Sequence, residues 1–168
     1  MKRLEGVLVP AVLLWVSLVP AEASEKQVVF LGQNYVLAHH EDKVSTRESR
    51  YLPAGQTLTD WSQSIDYLVF PRPKDLARID PMIEIFRNLL ASTCPGTYFH
   101  LIRNERDSAL VEWTEPDSCG SDGQHGVSRI FFCERGVCLW AVRSTKRPFS
   151  VADRWDWADA LVEMPVEP

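Results

Sequence analysis

Apolar residues in the first half of the chain alternate with polar ones or run in short blocks, which is strand patterning. Residues 27–31 are β-rich and Gly32 ends them. Residues 34–40 read as a second strand, with Glu41, Asp42 and Lys43 as the turn after it. Residues 44–52 alternate in part and are polar, the pattern of a strand with one face in water. Pro53, Ala54 and Gly55 predict a turn, because Pro presets φ and Gly accepts positive φ. Residues 65–70 carry Ile65, Tyr67, Leu68, Val69 and Phe70, and the Pro71-Arg72-Pro73 run stops them.

The period then changes. Met82, Ile85, Phe86, Leu89 and Leu90 recur at helical spacing and make one apolar face. Asp80 suits an N-cap and Pro81 the first helical position. Cys94, Pro95 and Gly96 close that helix. Residues 97–103 and 109–114 predict a hairpin, and 127–133 and 137–144 a second one around Gly136, with a polar loop over 115–126 between them. Ser150 caps a C-terminal helix in which Asp153 partly completes a capping box. Val151, Trp155, Ala158 and Val162 form its expected inner face. Strands, helix, strands, helix predict an α+β domain: one antiparallel sheet with a central helix and a C-terminal helix packed on it.

The N-terminus has another character. Lys2 and Arg3 precede an apolar stretch over 6–19, and Ala21-Glu22-Ala23 follows with small residues where a signal peptidase requires them. About 20 apolar residues are needed to span a bilayer, more than this stretch supplies. Residues 1–23 therefore read as a signal peptide and 24–168 as a single exported domain, periplasmic or secreted, without a transmembrane segment after cleavage. Export changes the meaning of Cys94, Cys119, Cys133 and Cys138, because an oxidising compartment favours disulfides. Across a hairpin Cys133 can face Cys138, leaving Cys94 for Cys119. A zinc site from Cys119, His125, Cys133 and Cys138 would lack the paired knuckles of structural zinc.

Composition adds limits. The chain has 168 residues, 45% of them hydrophobic, with a net charge of -5. It is too apolar for a disordered chain, and its acidity argues against nucleic acid as a partner. Leu52 to Trp61 (Leu-Pro-Ala-Gly-Gln-Thr-Leu-Thr-Asp-Trp) resembles the V/L-P-x-G-x-T-x-x-x-W signature of a group of small exported bacterial envelope proteins of unassigned function. The resemblance implies a Gram-negative envelope protein and carries no catalytic residue with it.

No nucleophile elbow, phosphate loop or H-E-x-x-H pair occurs. His39 and His40 are adjacent on a strand, so they point to opposite faces and cannot easily share a metal. His100 reads as a hydrogen-bonded sheet residue. A hydrolase using a histidine and an acid would have to draw on Glu112 beside Trp113, or on His125. The sequence thus points to a non-enzymatic binding protein, without cofactor or metal. Its expected partner is another envelope protein or a secreted effector, as for a secretion accessory or an immunity protein. The candidate contact surface comprises Tyr51, Trp61 and the C-terminal helix around Trp157, because accessible aromatic residues often anchor interfaces.

Overall fold

The computed structural model of the protein describes residues 26–119, 123–145 and 150–168. The expected signal peptide and its cleavage site lie outside the described residues. Four strands come first: β1 (Gln27–Phe30), β2 (Gln33–Asp42), β3 (Arg47–Pro53) and β4 (Gln63–Phe70). Helix α1 (Asp80–Thr93) leads to β5 (Tyr98–Asn104), β6 (Ser108–Thr114), β7 (His125–Cys133) and β8 (Gly136–Ser144), and helix α2 (Val151–Glu163) closes the order. The eight strands of the described residues form one antiparallel sheet in the order β1-β2-β3-β4-β8-β7-β6-β5, curled as a half-barrel. Two four-stranded meanders therefore meet at a β4–β8 seam.

This corrects the expected α+β class with a central helix: the fold is mainly β, and both helices are additions to it. The helical period of residues 82–90 established that a helix exists, not how much of the fold it carries. The seam pairs Gln63 with Ser144 through Phe70 with Val137, an alignment that no local pattern announces. It also explains the route of α1. The chain leaves β4 at the centre and must reach the far edge, four strand spacings or about 19 Å away. Fourteen helical residues span about 21 Å.

The sheet has a core on each face. On the α2 face, Phe30, Tyr35, Tyr51, Tyr67, Trp140 and Val142 pack with Trp157, Leu161 and Met164. The Trp140 ring lies 4.5 Å from that of Tyr67 and 6.4 Å from that of Tyr51. On the α1 face, Ile79, Ile83, Val111, Ile130, Val137 and Leu139 form the second core, with Phe86 and Phe99 against it. Strand β8 contributes to both, which is why Val137 to Val142 is an unbroken apolar run. Residues expected to form an exposed strand, 44–52, instead yield β3, whose Ser49, Tyr51 and Leu52 are buried.

Both helices depart from their expected faces. The N-cap of α1 is Ile79, without a side-chain cap bond, while Asp80 sits in the first turn and accepts from Arg78 and Asn104. Ile83 is buried, whereas Ile85 and Leu89 are 54% and 52% exposed. At α2 the capping box is complete: Ser150 Oγ accepts from Asp153 N–H at 3.1 Å, and Asp153 accepts from Ser150 N–H at 2.9 Å. Its inner face is Trp157, Ala158 and Leu161, rotated from the expected set, and Trp155 is 47% exposed. Two contacts outside the helix set that rotation. Arg154 reaches the buried Glu112 on β6 at 2.9 Å, and Arg129 on β7 donates to the carbonyls of Leu161 and Val162 at the helix C-terminus.

Candidate functional site

Two concavities stand out, one on each face. The first is a groove of about 260 Å³ between α1 and the sheet. Leu68, Phe70, Leu139 and Ala141 give it an apolar floor, and Phe86, Leu89 and Leu90 form its helical wall. Its polar end holds a buried ion network. Asp66, nearly inaccessible, takes Arg50 Nε at 2.9 Å and Arg143 Nη2 at 2.5 Å, and Arg50 also reaches Glu48 at 3.3 Å. Burial pushes the Arg143 guanidinium below its ordinary value, and the Asp66 charge opposes that shift. Arg143 Nε is buried and has no hydrogen-bond partner among the described residues.

The second is a polar cavity of about 290 Å³ on the α2 face. His40, Asp42, Arg47, Ser49, Tyr51 and Tyr67 supply its sheet side; Lys26, Arg135, Glu167 and Pro168 complete the lining. His40 and Ser49 are cross-strand partners, and His40 Nδ1 lies 2.9 Å from Ser49 Oγ. Asp42 is 3.9 Å from His40 Nε2, beyond hydrogen-bond length, and is held instead by two bonds from Arg47 at 2.7 and 3.0 Å. The serine and histidine thus resemble a nucleophile with its base, but the carboxylate that would orient the base is engaged elsewhere. As the sequence implied, His39 and His40 face opposite ways: His39 lies near Glu41 and His40 near Asp42.

Of the three expected contact residues, the structure buries two. Tyr51 is core and also lines the polar cavity; Trp157 is 7% exposed beneath α2. Trp61 is partly accessible, with the Arg143 guanidinium 5.6 Å from its ring. The segment from Leu52 to Trp61 is the last two residues of β3 and a folded connector after them. Gly55 adopts φ +85° at its turn, Thr57 and Asp60 bridge, and the Gln56 amide bonds Ser62 in both directions, at 2.9 and 2.8 Å. Thr145 Oγ1 donates to Trp61 O, tying the connector to the end of β8. The turn conformation accounts for Gly55 and the amide bonds for Gln56 by folding alone.

The two groups considered for hydrolysis, Glu112 and His125, each have another partner. Glu112 pairs with Arg154, and His125 Nδ1 lies 2.7 Å from Thr114 Oγ1. His100 stands directly opposite Glu112 across the β5–β6 pair and stacks beside Tyr98. Trp113 packs flat against Gly126, where any Cβ would collide with the indole, and donates to Ser128 Oγ at 3.1 Å. Both disulfides are present, Cys94–Cys119 and Cys133–Cys138, with Cα separations of 5.6 and 5.8 Å. They take up all four thiols, including those of the zinc alternative. No group of three metal-binding side chains occurs among the described residues, and no described helix is long and apolar enough to cross a membrane.

Sequence reasoning missed the ion network and the polar cavity. The signal for the first was present: Asp66 and Arg143 are lone charges inside apolar strand runs, and a buried charge needs a partner. The cavity gives no such signal, because β3 looks like a solvated strand until its neighbours are known. The chain matches no known protein-family description and no curated protein.

Proposed function

We propose that this chain is an exported binding protein of the bacterial envelope that acts by contact with another protein, at the groove beside α1. The exposed part of the α1 apolar stripe carries this reading. Ile85 and Leu89 stand half exposed next to Phe86 and Leu90, although an amphipathic helix ordinarily buries its whole stripe. An apolar groove continues that stripe across Leu68, Phe70 and Leu139. The complementary partner is a protein segment with apolar side chains flanked by Lys or Arg, because a net charge of -5 steers cationic surfaces toward the chain. We read that partner as a secreted effector that this protein neutralises or a secretion component that it accompanies. Export is supported by the pattern over residues 2–23 and by two disulfides, which persist in an oxidising compartment. The resemblance over residues 52–61 points the same way.

The test is site-specific photocrosslinking in cells from positions 85 and 89, with position 44 as an exposed control. One protein species crosslinked from 85 and 89 but not 44 is the expected result. The purified partner should then bind Leu89→Asp about tenfold or more weakly, with the melting midpoint unchanged. Equal crosslinking from all three positions, or undiminished affinity, overturns the reading.

A further inference from the structure

The polar cavity lies on the opposite face of the sheet, and the ion pairs around it are mostly closed. Asp42 is satisfied by Arg47, and Glu167 pairs with Arg135 at 3.3 Å. His40 is hydrogen-bonded to Ser49. Lys26 is the lining cation that makes no ion pair with any described residue. Hydroxyls on rigid supports line the same cavity: Ser49 and Tyr51 belong to β3, are 4% and 1% exposed, and are hydrogen-bonded to each other. The wall formed by the tail after α2 is also fixed. Trp140 Nε1 donates to Pro165 O at 2.7 Å, and Tyr67 OH donates to Val166 O at 3.0 Å. The sheet side and the tail wall of the cavity are thus held by hydrogen bonds.

We propose that this cavity binds a small oxyanion of the carboxylate or phosphate class, held by Lys26 and by the hydroxyls of Ser49 and Tyr51. One unmatched ammonium sets the charge of the ligand, because charge-assisted bonds to an oxyanion are stronger than neutral ones. Several hydroxyl and imidazole groups around it favour a ligand that carries hydroxyls as well. The volume of about 290 Å³ is at the lower end of small-molecule pockets, which suits a hydroxy acid or a short phosphorylated polyol better than a nucleotide. The site is independent of the α1 groove and stands or falls separately from it.

Calorimetric titration with citrate and with glycerol 3-phosphate tests the proposal, with glycerol and sodium chloride as controls. At least one anion should bind saturably at one site per chain, and the controls should not. Which anion binds separates the carboxylate from the phosphate source. Lys26→Met should weaken binding about tenfold or more, the loss expected for one charge-assisted contact. Lys74→Met makes the same charge change at an exposed position away from the cavity and should leave binding unaltered. Ser49→Ala should weaken binding too; Lys26 is exposed, so its variant decides the matter even where Ser49→Ala fails to fold. No saturable anion binding overturns the proposal, as does equal weakening in Lys26→Met and Lys74→Met.

Discussion

Arg143 and Asp66 meet across the β4–β8 seam, Nη2 to Oδ2 at 2.5 Å, where the two meanders are stitched into one sheet. Asp66 has a second guanidinium on its other oxygen, from Arg50. The pair therefore joins a residue of the first meander to one of the second in a place water scarcely reaches. Removing one member of a buried ion pair leaves the other charge uncompensated, at about 3–5 kcal/mol. Asp66→Ala should lower the urea midpoint accordingly. Glu84→Ala, which removes the exposed partner of Arg87, serves as the comparison and should cost less than about 1 kcal/mol. Similar small losses in both variants would show that the seam does not depend on this pair.

Trp157 tests the rotation of α2. Its indole lies in the α2-face core with Leu161 and Met164, whereas Trp155 is half exposed. Trp157→Ala should destabilise by about 3–5 kcal/mol, the range for truncating a buried aromatic residue. Trp155→Ala should change stability by no more than about 0.5 kcal/mol, as surface substitutions do. Thermal melts of the two variants decide it, and the reverse order would restore the face that the sequence pattern suggested.

The reasons for such reversals are physical. Local signals read well: both hairpins of the second meander, the Ser150 capping box, the stop after Phe70 and the Cys133–Cys138 pair follow from residues near one another in the chain, and Cys94–Cys119 follows as the pair left over. What the sequence hid is set at long range. Trp155 and Trp157 lie about 200° apart around the helix, so either could face inward. Arg129 and Glu112, from strands more than 20 residues upstream, choose between them. The mainly β character was obscured in the same way, because the β4–β8 seam joins segments separated by α1 and three other strands. Of the two concavities, the groove left a trace in an apolar stripe on α1 too wide for the sheet to cover. The polar cavity left none, since His40 and Ser49 become neighbours only through the β2–β3 register.

The two disulfides should differ in weight. Cys94–Cys119 spans a sequence separation of 25 residues and Cys133–Cys138 one of 5. Cross-linking stabilises chiefly by restricting the unfolded chain, so the longer loop contributes about 3.5 kcal/mol and the shorter about 2. The double serine variant at 94 and 119 should melt lower than that at 133 and 138. Peptide mapping without reductant checks the pairing, and a Cys94–Cys133 linkage would contradict the fold.

Three phenols on the α2 face make stability depend on alkaline pH. Burial pushes Tyr35 and Tyr67 from 10.0 up to about 12, and raises Tyr51 as well. Tyr35 OH donates to Gln63 at 2.7 Å and Tyr67 OH to Val166 O at 3.0 Å, bonds that only the protonated phenol can give. In the unfolded chain these groups ionise near their ordinary value, so the unfolded state loses protons first as pH rises. Stability from the neutral phenols is thus complete below pH 10 and is lost as pH climbs toward 12. The melting midpoint should fall steeply across that window. In the Tyr35→Phe/Tyr67→Phe double variant the slope should be shallower, although its neutral-pH stability is lower by the two lost hydrogen bonds, roughly 1 kcal/mol each. A wild-type chain whose midpoint is flat from pH 10 to 12, or a double variant with an unchanged slope, would place the alkaline sensitivity in other groups.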